Sequence, residues 1–477
     1  MASLSSLWDK ADFEGIRESS ASREITASDL KLLAESSAAL ELRSLAEEYA
    51  TYGQVGDNFS DSENLKVVTV LHASLPQHTG GYTSRAQGIL EGLSDHGVEV
   101  VAYTRPGFNE SKESSDFRSE NNYRGVKYRH LQSVFPRAKG EFQYMLSCVD
   151  QYKRVFAEEK PNVVHVRSTY LVSLPASIAA HALSIPVVYE VSGIWELVYE
   201  GRGQFGRANR AAWAEDIVFR TVDRIVTMNK AMARLIKDRS GTKAEISLVP
   251  NAVAPESFAS ANFPESCSYD LGYVGSLVDY EGLDLLLEAL ALLKDRGLIY
   301  KLKIVGTGHV EGDLKESAVK LGLQDQVEFT GRVQADEVIE HFKTIGAIVL
   351  PRKSTPATDC VTPLKPFEAL AAGKPLIVSN IEPLSEIASG GRYAVTFAAG
   401  DSSSLAEKIY HVLSDKSLQQ TMVRNGFELV NSSHSWSAVT TDFVRVLVRV
   451  ARVAECDANL QYLGKIVQKG LISVQVG

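Results

Sequence analysis

Cysteine is scarce in this chain, and its few cysteines lie far apart. The 477 residues include only four, Cys148, Cys267, Cys360 and Cys456. No two of them have the spacing of a metal-binding pair or of a disulfide framework. A reducing compartment is the simpler inference, so we expect a cytoplasmic protein.

Long apolar runs are also missing. No stretch approaches the ~20 apolar residues that a membrane-spanning helix needs. The N-terminus, Met1 to Gly15, has charged residues where a secretory signal has its apolar core. We expect a protein that is soluble or attached at most to the inner surface of a membrane.

Positive charge is in the minority. The formal net charge of -9 at pH 7 argues against nucleic acid as the main partner. Two basic stretches, residues 124–139 and 202–210, depart from this average. They are interpreted either as solvated loops or as sites for an acceptor that bears phosphate, or for an anionic membrane that carries such an acceptor.

Two common ligand motifs are absent. No Gly-x-Gly-x-x-Gly follows the first predicted strand, residues 66–71, so a nicotinamide or flavin dinucleotide is not indicated. No Asp-x-Asp pair marks a metal site, because Asp279-Tyr280-Glu281 is as readily a loop with solvated acids. We therefore expect no cofactor and no metal ion.

The chain does contain a repeated alternation of short apolar strands and amphipathic helices. This alternation is typical of open parallel sheets covered on both faces, and the length suggests two to three domains. The predicted strands are residues 66–71, 98–103, 126–130, 163–166, 187–191, 224–228, 301–305, 327–329, 347–350 and 376–378. The sequence thus predicts an α/β protein with two Rossmann-like domains that face a cleft.

The chain is divided into four predicted segments. Residues 1–60 are predicted to be a helical extension and linker, 61–255 and 256–435 the first and second Rossmann-like domains, and 436–477 a C-terminal helix with a tail. The helix at residues 25–50 has an apolar face. That face packs on the first domain or, in the alternative, on a partner helix.

Residues 362–379 are predicted to form a loop, a short helix and a buried strand. Thr362 is predicted as the N-cap and Pro363 as the first helical residue, while Gly373 with Pro375 ends the helix. The free amides and positive dipole end of such a helix start favour phosphate. Lys365 adds a positive charge at the same turn.

Glu368 follows one turn later in this helix. Its carboxylate can accept two hydrogen bonds from a vicinal diol such as that of a ribose. The alternative is an ordinary strand-helix-strand connection with a solvated glutamate.

Residues 368–375, Glu-Ala-Leu-Ala-Ala-Gly-Lys-Pro, resemble the donor-binding segment of the glycogen-synthase-like retaining glycosyltransferases, the group 1 family of GT-B type. The family segment is a Glu, seven residues, a second Glu and then Ala-x-Ala-x-Gly-x-Pro. Leu364 falls where the family has a Leu whose amide faces the diphosphate. Cys360 takes the place of the first Glu, with Asp359 beside it, and Ser192 stands where a His is common.

The resemblance implies a retaining transferase, for example in polysaccharide biosynthesis, that moves a sugar from a UDP- or GDP-linked donor to a glycan, lipid-linked or small-molecule acceptor. It also implies that residues 61–255 form the acceptor domain, that residues 256–435 form the nucleotide-sugar domain, and that the helix of residues 436–477 crosses back to the first domain. One alternative is a sugar-nucleotide epimerase or hydrolase of the same fold. Another is a catalytically silent regulator, which Cys360 and Ser192 favour.

Candidate site residues fall into three groups. Asp359, Arg352, Lys353 and Lys365 are the catalytic candidates: the three cations stabilise the leaving diphosphate, and Asp359 contacts the sugar in place of the missing Glu. The donor-binding candidates are Gly80, Gly81, Gly275, Ser276, Gly306, Gly308, Arg332, Thr362, Pro363, Leu364 and Glu368. The candidates for acceptor or sugar binding, at strand ends of the first half, are His165, Arg167, Glu190, Ser192 and Glu196.

Overall fold

A computed structural model of the chain describes residues 3–22, 24–50, 65–108, 120–259, 267–334 and 337–451. The chain divides into two compact units, Met1–Pro250 with Thr440–Gly477 and Asn251–Val439. We call them unit 1 and unit 2. The linker at the end of the predicted segment 1–60, the predicted C-terminal tail and Cys456 lie outside the described residues.

Unit 1 is built around one sheet. Its elements are α1 (Leu4–Asp9), α2 (Phe13–Ser20), α3 (Ala27–Ala50), β1 (Lys66–Leu71), α4 (Gly81–Asp95), β2 (Glu99–Thr104), β3 (Glu120–Tyr123), β4 (Val126–His130), α5 (Glu141–Glu159), β5 (Val163–Arg167), α6 (Tyr170–His181), β6 (Val187–Val191), α7 (Trp195–Glu200), α8 (Phe205–Thr221), β7 (Arg224–Thr227), α9 (Lys230–Ser240) and β8 (Glu245–Leu248). The strand order is β3-β4-β2-β1-β5-β6-β7-β8, and only β3 runs antiparallel to its neighbour.

The central strands of unit 1 are buried on both faces. Every residue of β5 and β6 is buried, as expected for parallel strands with helices on either side. The chain connects β1 to β2 on one side of the sheet and β5 to β6 on the other. The carboxyl ends of β1 and β5 therefore form a topological switch point, where open sheets bind ligands.

The N-terminal helix α3 packs on unit 1 against α5 and α6. The buried carboxylate of Glu35 accepts hydrogen bonds from the backbone N–H groups of Phe142 at 2.9 Å and Gln143 at 3.2 Å, at the start of α5. This carboxylate therefore caps a neighbouring helix and fixes the position of α3. Packing on the first domain is the interpretation that these contacts support.

Unit 2 contains the second sheet. Its elements are α10 (Glu256–Ala259), β9 (Tyr269–Val274), a single 3-10 turn (Asp279–Glu281), α11 (Leu283–Asp295), β10 (Leu302–Val305), α12 (Glu311–Lys320), β11 (Val327–Phe329), α13 (Val338–Lys343), β12 (Ile345–Leu350), α14 (Lys365–Ala371), β13 (Leu376–Ser379), α15 (Glu382–Ala388), β14 (Val395–Phe397), α16 (Ser402–Ser414) and α17 (Lys416–Ser433). The strand order is β11-β10-β9-β12-β13-β14, and all pairs are parallel.

Helix α18 (Trp436–Ala451), the last in the described part of the chain, belongs to unit 1 from Thr440 onward. The ring of Phe443 meets that of His165 edge to face at 4.9 Å. Thr440 packs so closely on Gly92 of α4 that a side chain at Gly92 would collide with it. Among the helices of the described ranges, none is both long and apolar enough to cross a membrane.

Candidate active site

The first set of candidate residues lies at the carboxyl edge of the unit 2 sheet. β9 and β12 are neighbours, and their following strands continue in opposite directions across the sheet. Gly275 follows β9, and Arg352 follows β12 after one proline. These two strand ends thus form the switch point of unit 2, the usual ligand position in such sheets.

The glycines of this edge pack against one another. Gly275 has φ +149°, and a side chain there would collide with that of Lys365. A side chain at Gly306 would collide with the carbonyl oxygen of Gly275, and one at Gly308 with that of Leu277. The missing side chains therefore serve close packing of the turns, which brings Lys365 over the end of β9.

The structure corrects the predicted helix start. α14 begins at Lys365 with Leu364 as its N-cap, so the predictions of Thr362 as the cap and Pro363 as the first helical residue were wrong. Thr362 is buried, and its carbonyl oxygen accepts a hydrogen bond of 2.6 Å from the side-chain amide of Asn251. That bond, together with the bias of a residue before proline against helical geometry, delays the helix.

The first turn of α14 nevertheless has free donors. The N–H groups of Phe367 and Glu368 bond to the carbonyl of Leu364 at 3.0 and 3.3 Å, and Pro366 has no N–H. The N–H groups of Leu364 and Lys365 make no hydrogen bond within the described residues. Two N–H donors therefore remain at the observed helix start, and free amides in this position favour an anion.

Two of the predicted cations share one buried carboxylate. Lys365 Nζ lies 2.7 Å and Arg352 Nη2 3.5 Å from Oε1 of Glu281, which is only 3% exposed. Burial raises the pKa of Glu281, but the charges of Lys365 and Arg352 outweigh this and hold it below the usual value. Burial lowers the pKa of Lys365, and Glu281 opposes that shift. The cluster thus has two positive charges and one negative charge.

The predicted pair Arg352 and Lys353 is divided between two environments. The guanidinium of Arg352 is buried and donates a 3.0 Å hydrogen bond to the carbonyl of Val361. The ammonium of Lys353 is far more exposed and pairs with Asp284 at 2.6 Å. Arg352 therefore supports the loop before α14, whereas Lys353 lies in a surface pair.

The carboxylate of Glu368 is half-buried beside this cluster. Burial raises the pKa of Glu368, and Lys365 opposes the shift. Within the described ranges its carboxylate oxygens have no hydrogen-bond partner. Both oxygens are therefore available to the hydroxyl groups of a ligand.

Asp359 and Cys360 lie in the turn at residues 356–360, before α14, but they have different surroundings. Asp359 Oδ2 accepts a 2.8 Å hydrogen bond from Ser354, while the buried Oδ1 has no partner in the described part of the chain. The Cys360 thiol is buried and donates to the carbonyl of Ala357 at 3.3 Å. Arg332 is exposed after β11, two strands away from β9.

The second set of candidates forms a buried network in unit 1. Glu190 Oε1 accepts hydrogen bonds from Arg85 Nε at 2.7 Å and Arg167 Nη2 at 3.0 Å. Its Oε2 lies 2.9 Å from His165 Nε2 and 2.9 Å from Arg167 Nε. Arg85 also donates to the carbonyls of Val249 and Pro250. The predicted residues His165, Arg167 and Glu190 are thus brought together, but they are 0–1% exposed.

The charges of this network follow from its geometry. Burial raises the pKa of Glu190, but Arg167 and Arg85 hold it well below the usual value, so Glu190 is ionised. Burial lowers the pKa of His165, so its imidazole is neutral at pH 7. A carboxylate only accepts hydrogen bonds, which assigns the proton to Nε2. His165 Nδ1 then accepts from Thr69 Oγ1 at 3.2 Å.

The network reaches the Gly-Gly turn and Ser192. Gly80 is the N-cap of α4 and Gly81 its first residue, and both are exposed. Arg167 donates to the carbonyl of Tyr82 and to Ser192 Oγ, each at 3.2 Å, and its guanidinium lies over the Tyr82 ring. Ser192 is half-buried, so it is the accessible member of the group.

Glu196 takes part in another cluster. It lies at the start of α7 and forms an ion pair with Arg239, which also contacts Asp216 at 2.7 Å and Glu215 at 3.7 Å. Arg85, a central residue of the Glu190 network, was not among the predicted site residues. An arginine in mid-helix, 105 residues from its partner, gives no signal in the sequence.

Two family models match most of the chain. Residues 257–429 match the model described as glycosyl transferases group 1, and residues 80–252 match the glycosyl transferase 4-like domain. The chain belongs to the group 1 glycosyltransferases. This glycosyltransferase is therefore an enzyme that transfers a sugar from a nucleotide-sugar donor to an acceptor, and the predicted family is confirmed.

Relatives and solved structures agree with this assignment. The glycosyltransferase is 27% identical over 295 residues to a glycogen synthase of Mycobacterium tuberculosis, covering 61% of this chain and 70% of the relative. Sucrose-phosphate synthase from Thermosynechococcus elongatus superposes with a TM-score of 0.65 at 17% identity, covering 81% and 99% of the two chains. HepE of Anabaena in complex with UDP superposes with a TM-score of 0.62 at 14% identity, covering 81% and 100%. The predicted GT-B fold, with two Rossmann-like domains, is confirmed.

Proposed function

We propose that this glycosyltransferase is a retaining enzyme that uses a UDP- or GDP-linked sugar and a glycan, lipid-linked or small-molecule acceptor. The retaining stereochemistry is supported by the resemblance of residues 368–375 to the family's donor-binding segment. UDP is supported by HepE of Anabaena, whose structures include complexes with UDP and with UDP-glucose. UDP-glucose is therefore the first donor to test.

The observation that carries the donor site is the half-buried, unpaired carboxylate of Glu368 next to Lys365. Glu368 binds the ribose diol, while the free N–H groups of Leu364 and Lys365 receive the diphosphate. The remaining donor contacts come from the sheet edge and the loop before α14, at Gly275, Ser276, Gly306, Gly308, Arg332, Thr362 and Pro363. Gly80 and Gly81 present the exposed start of α4 to the substrates.

The departing diphosphate gains charge as the sugar becomes cation-like. Lys365 and Arg352 are held in place before the reaction and stabilise that charge without reorganisation. Glu281 offsets one of the two positive charges and keeps both side chains positioned. Lys353, which is more exposed, adds a weaker attraction.

Asp359 compensates for the missing family glutamate. Its Oδ1, which has no partner among the described residues, can accept hydrogen bonds from sugar hydroxyls. The thiol of Cys360, in contrast, donates a hydrogen bond to the carbonyl of Ala357. This observation favours an active transferase over a silent regulator.

Unit 1 supplies the acceptor side in this proposal. Glu190 and His165 position Arg167, and Arg167 positions Ser192, which contacts the sugar or the acceptor. Glu196 is committed to its ion pair with Arg239, and the proposal does not require it.

Thermal denaturation with UDP, GDP, UDP-glucose and GDP-mannose tests the donor assignment. A ligand present at a hundredfold over its dissociation constant adds about 2.7 kcal/mol of stability. Sugar transfer from the donor that binds is then assayed with candidate acceptors, and NMR of the product gives the anomeric configuration. Failure of every nucleotide to stabilise the protein would overturn the donor site, and an inverted product would overturn retention.

A further inference from the structure

A cavity of about 50 Å³ lies at the switch point of unit 1. His72, directly after β1, and Thr169, two residues after β5, line it, and Trp195 and Tyr199 of α7 form an aromatic wall. A cavity of this size has room for roughly four water-sized groups. It therefore accommodates a group the size of phosphate and not a whole sugar ring.

Positive charge surrounds this cavity. The pKa of His72 is lowered to about 3, first by burial and then by the charges of Arg105, Arg137 and His78, and no carboxylate contributes to the shift. Arg137 also lines the cavity. Within the described ranges its half-buried guanidinium has neither an ion pair nor a hydrogen bond. An uncompensated arginine in a partly closed space is a site for an anion.

Unused hydrogen-bonding atoms line the same space. Thr169 is 3% exposed, and its Oγ1 has no hydrogen-bond partner among the described residues. It is the N-cap of α6, a helix of 12 residues, yet its hydroxyl does not cap the helix. Nδ1 of His72 is likewise buried and without a partner in the described part of the chain.

The start of α6 adds backbone donors. The carbonyl of Thr169 accepts from Val172 and Ser173, while Tyr170 and Leu171 occupy the first turn, where N–H groups have no partner inside the helix. Glu141, the carboxylate on this side, accepts a 2.6 Å hydrogen bond from the hydroxyl of Tyr170. The cavity thus combines donors and positive charge with a carboxylate that is already bonded.

We propose that this cavity binds the phosphate of a phosphomonoester acceptor. Arg137 pairs with the phosphate oxygens, Thr169 and the N–H groups of α6 donate to them, and the rest of the acceptor packs on Trp195 and Tyr199. The inference rests on the proposed transferase function and names the chemical class of its acceptor. The phosphomonoester is either a soluble sugar phosphate or a lipid headgroup.

Binding of phosphate at this cavity is tested with the donor site already filled. Titrations of inorganic phosphate, glucose 6-phosphate and glucose are followed by calorimetry in saturating UDP, so that the diphosphate site does not compete. We expect binding of the two phosphates and not of glucose. Arg137→Ala should raise both dissociation constants about tenfold or more, and Thr169→Val should raise them while leaving the melting temperature close to wild type.

Arg154→Ala is the matched control, because it removes an exposed arginine of α5 from the same unit. We expect its phosphate affinity to stay within about twofold of wild type. Equal losses of phosphate affinity in Arg137→Ala and Arg154→Ala would reveal a general charge effect and overturn the proposal. So would wild-type phosphate affinity in Arg137→Ala.

Vesicles distinguish the two sources of the phosphomonoester. If the protein sediments with phosphatidic acid vesicles but not with phosphatidylcholine vesicles, and Arg137→Ala abolishes this sedimentation, the phosphomonoester is a lipid headgroup. If the protein binds glucose 6-phosphate and does not sediment with vesicles, the acceptor is soluble. If UDP binds while no phosphate compound does, the cavity proposal fails and the transferase proposal stands. If phosphate binds while no nucleotide does, the donor assignment fails instead.

Discussion

The ammonium group of Lys365 lies 2.7 Å from the buried carboxylate of Glu281. The cation proposed to meet the diphosphate therefore already has a counter-charge within unit 2. Arg352 shares that carboxylate at 3.5 Å, so the three groups together have one net positive charge. Removing Glu281 should change both the stability of the unit and its response to a phosphate ligand.

Glu281→Gln should lower the free energy of unfolding by about 3 kcal/mol, because it leaves two cations in a largely buried site without their partner. UDP supplies the missing negative charge, so the rise in melting temperature on adding UDP should be larger in the variant than in wild type. Asp284→Asn, which removes the exposed partner of Lys353, should cost less than about 1 kcal/mol. A UDP response equal to wild type would show that the diphosphate does not reach this cluster.

Glu368→Gln should weaken UDP and UDP-glucose alike by about 1 to 3 kcal/mol, because each loses the same hydrogen bonds to the ribose. The raised pKa of Glu368 also predicts that wild-type affinity falls with acidification before an ordinary glutamate would protonate. Calorimetry across pH measures both effects. Glu386→Gln, at an exposed position of α15, is the control, and unchanged UDP affinity in Glu368→Gln would remove Glu368 from the site.

Arg352→Ala should reduce kcat more than it raises KM for the donor. The fall in kcat should correspond to roughly 2.7 to 4 kcal/mol of lost transition-state stabilisation if the lost guanidinium behaves like a lost oxyanion donor. Steady-state kinetics separate the two parameters. Arg352→Lys keeps the positive charge but loses the forked guanidinium that reaches Val361 and Glu281. Its kcat should therefore lie between those of Arg352→Ala and wild type. A higher KM at unchanged kcat would make Arg352 a binding residue, and no change in either parameter would leave Lys365 as the leading cation.

Asp359→Asn should lower turnover while UDP affinity stays near wild type, because its carboxylate is proposed to contact the sugar and not the nucleotide. Initial rates and UDP titrations on the same preparation give the comparison. Normal turnover would assign the sugar contact elsewhere. Cys360→Glu, which restores the family residue, would then be the informative variant.

The raised pKa of Glu215 predicts that the stability of the protein depends on pH. Burial raises the pKa of this carboxyl from 4.5 to about 8, so the folded state binds a proton that the unfolded state releases between these values. The free energy of unfolding should therefore fall as pH rises from about 4.5 to 8. Glu215→Gln should lack this decline, so its melting temperature relative to wild type should rise across the window and level off above it.

Exposed Glu407 of α16 provides the comparison for that experiment. Glu407→Gln should follow the wild-type melting curve at every pH. If Glu215→Gln runs parallel to wild type as well, Glu215 is not the group that titrates in this window.

The sheets were largely predictable because most residues of their central strands are apolar. β1, β4, β6 and β11 coincide with their predicted bounds, and the other predicted strands shift by a few residues. β3, the polar segment Glu120–Tyr123, was missed because it pairs at the edge of the sheet and buries little. β14 was missed as well, although β11, which also has only three residues, was predicted.

For the candidate site, the sequence shows which residues lie near each other in one helix but not which partners they have in distant segments. Lys365 and Glu368 lie together because local helix spacing fixes them, and such spacing is visible in a sequence. The pairing of Lys365 with Glu281 depends on two turns that are 84 residues apart in the chain. Thr362 failed as a cap for the same kind of reason, because its hydrogen bond to Asn251 comes from a distant segment.

The placement of α18 has a consequence for biosynthesis. Phe443 and Thr440 pack against His165 and Gly92 of unit 1, yet they leave the ribosome only after all of Asn251–Val439 has been made. Domains generally fold as units during synthesis, the N-terminal one first. Here the nascent first unit must wait for α18, because until then His165 and Gly92 lack their contacts with Phe443 and Thr440. A ribosome stalled before residue 440 should therefore hold a chain in which the later-made unit is complete and the earlier-made one is not.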